Sequence, residues 1–168
     1  LSVLQLSQEK CGGTEKSLVE LVSIYGAINE LPRSIECYKK LLVIRPEQLT
    51  YIYNLGNAYK AYGQFSEAEN CFRLALNLKS DFPQALHNLG VCLGLQNKAS
   101  EAVSVFMQCL KQNPKDPGIL LWICTLRLSL GDASGSYEFS LKVLSLDARN
   151  VDAMLCLAAS KLRLKQIE

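Results

Sequence analysis

Two asparagines, Asn54 and Asn88, stand at the same place in two nearly repeated phrases. These are "YNLGNAYKAYGQFSEAENCF" from Tyr53 to Phe72 and "HNLGVCLGLQNKASEAVSVF" from His87 to Phe106. A carboxamide offers one acceptor and two donors, the complement of an extended peptide backbone. Beside them, His87 is the chain's single histidine and Trp122 its single tryptophan. No Ser–His–Asp or Cys–His arrangement assembles around His87, which therefore reads as a contact residue rather than a base. The sequence shows no phosphate loop, no zinc spacing and no carboxylate pair suited to acid–base work. "GGTEK" at Gly12–Lys16 reads as an interhelical turn, and Glu67 and Glu101 as solvated helix residues. The expectation is no catalytic, cofactor-binding or metal-ligating residue in this stretch, with a catalytic domain elsewhere in a longer parent chain left open.

The seven cysteines contain no CxxC and no Cys–His pair at ligand spacing. Cys92, Cys109 and Cys124 fall where neighbouring stretches carry Ala or Gly, so they read as small buried apolar side chains. Cys37 and Cys71 sit one repeat apart. Stacked helices lie about 8–10 Å apart, beyond the roughly 7 Å Cα limit for a disulfide. Reduced thiols and an intracellular, cytoplasmic setting follow as the expectation.

The charge balance excludes other classes. A net charge of +2 with scattered Lys and Arg gives no basic face for nucleic acid. Apolar runs such as "ILLWIC" are far short of the roughly 18 residues of a membrane span, so no membrane insertion is expected. At 168 residues and 49% hydrophobic content the chain can bury a sizeable core.

The positioning elements follow from a fixed period of 34 residues, with units opening at Glu15, Leu49, Pro83, Pro117 and Val151. In the second unit Ile52, Leu55, Gly56, Tyr59 and Tyr62 form one helical stripe, and Phe65, Ala68, Phe72, Ala75 and Leu76 form another. Gly63-Gln64, Asn97-Lys98 and Gly131-Asp132 mark the break between the two helices of a unit. Gly56, Gly90, Ala68 and Ala102 allow close approach, with Phe72 and Phe106 filling the seam. Pro46 and Pro114 end second helices. Pro83 and Pro117 suit first turns, and Asp116 is the expected N-cap before Pro117.

These units resemble tetratricopeptide repeats. The second matches through Leu55-Gly56, Tyr59, Ala68, Phe72 and Ala75, the third through Leu89-Gly90, Leu93, Ala102, Phe106 and Pro114. The first keeps Leu21, Tyr25, Tyr38 and Pro46 but has Val22 and Ser34 at the small positions. The fourth diverges, with Cys124, Ser136 and Ser140 for Gly, Ala and Phe, and Arg127 for an aromatic. The resemblance implies an all-α, right-handed superhelical solenoid of helix–turn–helix repeats with a concave groove. Its repeats would span 15–48, 49–82, 83–116 and 117–150. Residues 1–14 read as the second helix of a preceding repeat, with Leu4 where Phe72 sits later. Residues 151–168 read as the first helix of a fifth repeat or as a capping helix. Opening and closing in mid-unit, the chain reads as a piece of a longer array, or else its half-units are the caps.

The first helix of each repeat would line the groove. On a helical wheel Tyr53, Asn54 and Asn57 lie opposite the core stripe of the second unit, and His87 and Asn88 do so in the third. Asn54 and Asn88 would then project side by side and hold a peptide backbone. That arrangement resembles the asparagine ladder in the repeat arm of O-linked N-acetylglucosamine transferase, although Glu20, Trp122 and Cys156 occupy the other rungs. Leu121 and Trp122 of the fourth unit add an apolar outer patch, while Arg127 reads as snorkelling or paired with a carboxylate. The family's carboxylate clamp for C-terminal chaperone tails is not expected, because Tyr53, Gly118 and Trp122 replace its cations. The expected partner is a protein or peptide held through Tyr53, Asn54, Asn57, His87, Asn88, Leu121 and Trp122. The alternatives are a scaffold segment of a multi-protein complex or a substrate-recruiting arm of a larger enzyme such as a glycosyltransferase; RNA binding is disfavoured by the even charge.

Overall fold

The structure, a computed structural model, describes residues 14–165. Among these residues all regular structure is helical, in nine helices. They are α1 (Glu15–Ala27), α2 (Leu31–Ile44), α3 (Leu49–Ala61), α4 (Phe65–Leu78), α5 (Pro83–Leu95), α6 (Ala99–Gln112), α7 (Pro117–Ser129), α8 (Ala133–Leu146) and α9 (Val151–Lys165). Helices α1, α3, α5, α7 and α9 open 34 residues apart, so the fold is an all-α repeat of helix hairpins, a helical solenoid by class. The second-helix pattern expected over residues 1–14 lies, apart from Thr14, outside the described residues.

Each hairpin turns in the same way. Asn29, Gly63, Asn97 and Gly131 hold positive φ of 57°, 83°, 60° and 81°. Only glycine, or asparagine among side-chain-bearing residues, adopts this left-handed conformation readily. Around Gly63 the Gln64 N–H donates to the Tyr59 carbonyl at 2.9 Å and the Gly63 N–H to that of Lys60 at 3.1 Å. The equivalent pairs recur at Asn29, Asn97 and Gly131. This doubly bonded Schellman turn satisfies carbonyls that the helix end leaves bare.

N-terminal caps are mixed. Asp116, just before Pro117, accepts the Ile119 N–H at 3.0 Å, and Asp132 accepts that of Gly135 at 2.8 Å. Asn150 accepts the Ala153 N–H at 2.9 Å. Such caps stabilise a helix by about 1 kcal/mol each.

Two compact units divide the chain, Leu1–Ala85 and Leu86–Glu168. In the first, α1 packs on α2, α2 on α3 and α3 on α4. Leu18, Leu21, Tyr25, Cys37 and Leu41 form one buried cluster, and Ile35, Leu55 and Ala58 another. Tyr38 packs against both clusters and joins them. Within the α3–α4 hairpin Gly56 is bare of side chain because Phe72 lies against it. A Cβ there would come within 2.8 Å of the ring. Phe72, Ala68 and Ala75 are wholly buried. A buried phenylalanine contributes about 1.5–3 kcal/mol. At the unit's surface Glu15 accepts hydrogen bonds from Arg45 at 2.8 Å and Tyr51 at 2.9 Å, tying α1 to the end of α2 and to α3.

In the second unit the α5–α6 hairpin repeats the glycine-under-phenylalanine seam with Gly90 and Phe106. The α7–α8 hairpin replaces it. Cys124, Ser136 and Ser140 are wholly buried, with the Cys124 sulfur 3.0 Å from the Ser140 hydroxyl and 3.6 Å from that of Ser136. Ser140 also bonds the Ser136 carbonyl at 2.8 Å. Sulfur and hydroxyls thus fill the room that a phenyl ring fills elsewhere, and their polar atoms find one another.

Arg127, at a position aromatic or apolar in other repeats, is accommodated by three neighbours. Its guanidinium donates to Asp132 at 2.7 Å and lies 5.2 Å from the Phe139 ring centre. Gly135 supplies the space, since a Cβ there would collide with the guanidinium. The other oxygen of Asp132 caps α8 through Gly135. One carboxylate therefore both starts the helix and neutralises the arginine.

Candidate functional site

On α3, in the first unit, Tyr53 is half-buried, with its ring 4.8 Å from that of Phe82 and 5.8 Å from that of Phe72. Asn54 is half-buried and hydrogen-bonds the Tyr38 hydroxyl. Burial pushes that phenol up, and the Asn54 bond works in the opposite direction. The amide thus already has a partner in the α2–α3 seam. Asn57 is half-buried on the same helix.

In the second unit His87 is half-buried, edge-on to Phe106 at 5.9 Å and 65°. Asn88 corrects the sequence reading. It is only 8% exposed, so its amide does not stand in an open groove. A helical wheel with one core stripe leaves a wide outer face. Yet α5 buries two stripes, Ala85–Asn88–Leu89–Cys92 and Gly90–Leu93, and Asn88 falls in the first. The outer face is narrower than the wheel implied.

Trp122 is a second correction. It is half-buried rather than exposed, stacked on Phe106 at 5.8 Å and 21°. Its far edge lies 3.0 Å from where a Cβ of Gly94 would stand, so Gly94 makes room for the indole. The rest of the indole helps to line a cavity of about 470 Å³ between α7 and α9. Gly118, Leu121, Trp122 and Thr125 form one wall, and Asp152, Leu155 and Cys156 the other.

This pocket follows the repeat. Asp152, Leu155 and Cys156 stand 34 residues after Gly118, Leu121 and Trp122, so the same three positions of two successive first helices face it. Sequence reasoning named Leu121 and Trp122 and missed the other wall. Carrying those positions one period forward would have found it.

The pocket's chemistry is apolar with one anionic rim group. The Thr125 hydroxyl is turned back onto its own helix, donating to the Leu121 and Trp122 carbonyls. Burial, with the neighbouring Cys124 acting in the same direction, pushes the Cys156 thiol up to about 12, so it is a protonated, unreactive wall at neutral pH. Asp152 is exposed in the first turn of α9, with no ion pair or side-chain hydrogen bond among the described residues. Among those residues no cluster of His, Cys, Asp and Glu stands at metal-binding geometry. The arrangement can hold an apolar group and a positive charge.

Comparison with known proteins agrees with the hairpin architecture. Residues 50–82 and 83–116 each match a tetratricopeptide-repeat family model. The sequence matches no curated protein. Among solved structures, a MamA protein superposes with a TM-score of 0.83 at 16% identity, over 92% of this chain and 84% of that one. YrrB, described as a tetratricopeptide-repeat protein with an unusual peptide-binding site, gives 0.79 at 18% identity, over 98% and 84%. A tetratricopeptide-repeat protein of Parabacteroides merdae gives 0.80 at 19% identity, over 90% of this chain and 60% of that one. At such identities these likenesses concern the fold.

Proposed function

The chain belongs to the tetratricopeptide-repeat family and is a protein-interaction module, and we propose that it binds a peptide segment of a partner, with the α7–α9 pocket as the anchor. The observation that carries this reading is the pocket itself: about 470 Å³ walled by Leu121, Trp122, Leu155 and Cys156. Partly exposed aromatic and aliphatic side chains around a concave site are the usual anchors of recognition. Within the first unit Tyr53, Asn54 and Asn57 on α3 are candidate contacts of their own, as is His87 on α5 within the second. Asn88 is withdrawn from the contact set because of its burial. The peptide-binding site of YrrB lends support by fold alone. The reading is of binding without catalysis. The free, buried thiols of Cys92, Cys109 and Cys124 support a reducing intracellular location, the cytoplasm first.

The test is a tiled peptide array probed with the wild type and with Leu155→Glu. Leu155 is 63% exposed, so the charge enters the pocket wall while stability changes by about 0.5 kcal/mol or less. Peptides captured by the wild type should be lost by the variant. Equal capture by both proteins, or no capture by either, would remove the pocket from the proposal.

A scaffold role is the second reading, favoured by α9. Val151, Met154, Leu155 and Leu162 leave an apolar stripe open there. Ala158, in register with the covered Gly56, Gly90 and Cys124, is exposed too. Loss of a large assembly on Leu162→Glu, with peptide capture unchanged, would shift the assignment to this reading.

A further inference from the structure

We infer that the α7–α9 pocket selects a peptide in which an apolar side chain stands beside a lysine or arginine. This rests on the peptide-binding reading above and names the class of peptide.

A single anionic group stands at the rim of an apolar cavity. Of the seven lining residues, Asp152 alone carries a charge. It is the acidic residue in the first turn of α9. It is exposed and has no ion pair or side-chain hydrogen bond among the described residues, so its charge is available to a ligand. The equivalent position on the opposite wall is Gly118, which adds neither charge nor bulk. Thr125 has committed its hydroxyl proton to backbone carbonyls, so its side chain has no donor to spare for an anionic ligand. The Cys156 thiol stays protonated and adds no second charge. Leu121, Trp122 and Leu155 remain to cover the apolar side chain. An acidic peptide would face carboxylate repulsion at the rim, and a phosphate backbone would face the same repulsion plus an apolar floor. A cationic neighbour to the apolar anchor gains the one charged contact the site offers.

Trp122 provides the readout, since it is the chain's single tryptophan and lines the pocket. Three synthetic octapeptides free of Trp and Tyr, each with Leu-Phe at the centre, are titrated while Trp122 fluorescence is followed. One is flanked by Arg, one by Gln and one by Glu. The Arg peptide is expected to bind about three- to fivefold more tightly than the Gln peptide, the scale of an exposed ion pair, and the Glu peptide most weakly. Added salt should compress the series. Asp152→Asn, at an exposed site, should abolish the ranking and bring the three affinities together. Binding of all three with no ranking, or a ranking that survives Asp152→Asn, overturns the charge selection and leaves the pocket standing. No fluorescence change with any of the three overturns both the selection and the pocket as a peptide site.

Discussion

Gly90 lies directly beneath Phe106, so close that a Cβ on the glycine would come within 2.7 Å of the ring. Gly56 and Phe72 repeat the relationship at 2.8 Å in the other unit. Gly90→Ala should therefore destabilise the protein. Overpacking of about 1–3 kcal/mol outweighs the gain of about 1 kcal/mol in helix propensity. Gly26, with nothing near its missing side chain, is the internal control, and Gly26→Ala should stabilise by about 0.5–1 kcal/mol. Urea unfolding of both variants checks the opposite signs. Adding Phe106→Leu to Gly90→Ala should cost less than the sum of the single changes, because the two residues share one space.

The serine-lined seam of the α7–α8 hairpin makes a reciprocal prediction. Ser140 stands where Phe72 and Phe106 stand in their hairpins, and the Cys124 sulfur lies 3.0 Å from its hydroxyl. Ser140→Phe alone should destabilise by about 1–3 kcal/mol, because the ring would enter occupied space. Cys124→Gly in the same molecule should recover part of that loss by recreating the glycine-under-phenylalanine pair. Thermal melts of the single and double variants decide the matter, and a fully stable single variant would count against the close fit described for this seam.

Alkaline pH should weaken the fold. Burial holds Cys71 and Cys109 up to about 11 and Cys156 up to about 12, against 9.0 for an unperturbed thiol. Between 9.0 and those values the unfolded chain binds fewer protons than the folded one, so stability falls as pH rises. Below 9.0 these thiols are protonated in both states and the contribution is flat. Burial of the Tyr38 phenol acts with the same sign. Denaturant midpoints measured from neutral to alkaline pH should be level and then decline, and replacing the three cysteines with Ala should make the decline shallower.

Asn88 and Asn97 should separate burial from backbone geometry. Asn88→Ala removes a buried amide and should cost about 1–3 kcal/mol through whatever polar group it leaves unsatisfied. Asn97 is exposed at φ 60°, so Asn97→Ala should cost about 1 kcal/mol through the left-handed backbone alone, whereas Asn97→Gly should be neutral or mildly stabilising. Melting temperatures of the three variants test the ordering.

The helix starts and the hairpin turns could be read from the sequence because both follow from local chemistry. Asp116 before Pro117 specifies a helix start, and Gly63, Asn97 and Gly131 permit left-handed backbone where side-chain-bearing residues other than asparagine resist it. Seams with one small and one large partner, Gly56 with Phe72 and Gly90 with Phe106, were legible for the same reason. The site was less legible. Whether Asn88 is open or covered depends on the second buried stripe of α5, which a single-stripe wheel does not contain. Trp122 looked like an exposed anchor because the room at Gly94 that admits its ring comes from another helix. The second pocket wall was hidden by its residue types: Asp152, Leu155 and Cys156 look ordinary until the 34-residue period places them opposite Gly118, Leu121 and Trp122.

The exchange of a phenyl ring for hydroxyls and a thiol in the α7–α8 seam reaches beyond room-temperature stability. Exposing apolar surface on unfolding raises the heat capacity, whereas exposing polar surface lowers it. The seam closed by Ser136 and Ser140 should therefore add less to the heat-capacity change of unfolding than the seams closed by Phe72 and Phe106. Toward the freezing point the aromatic seams should weaken more, while the serine-lined seam beside the α7–α9 pocket should hold.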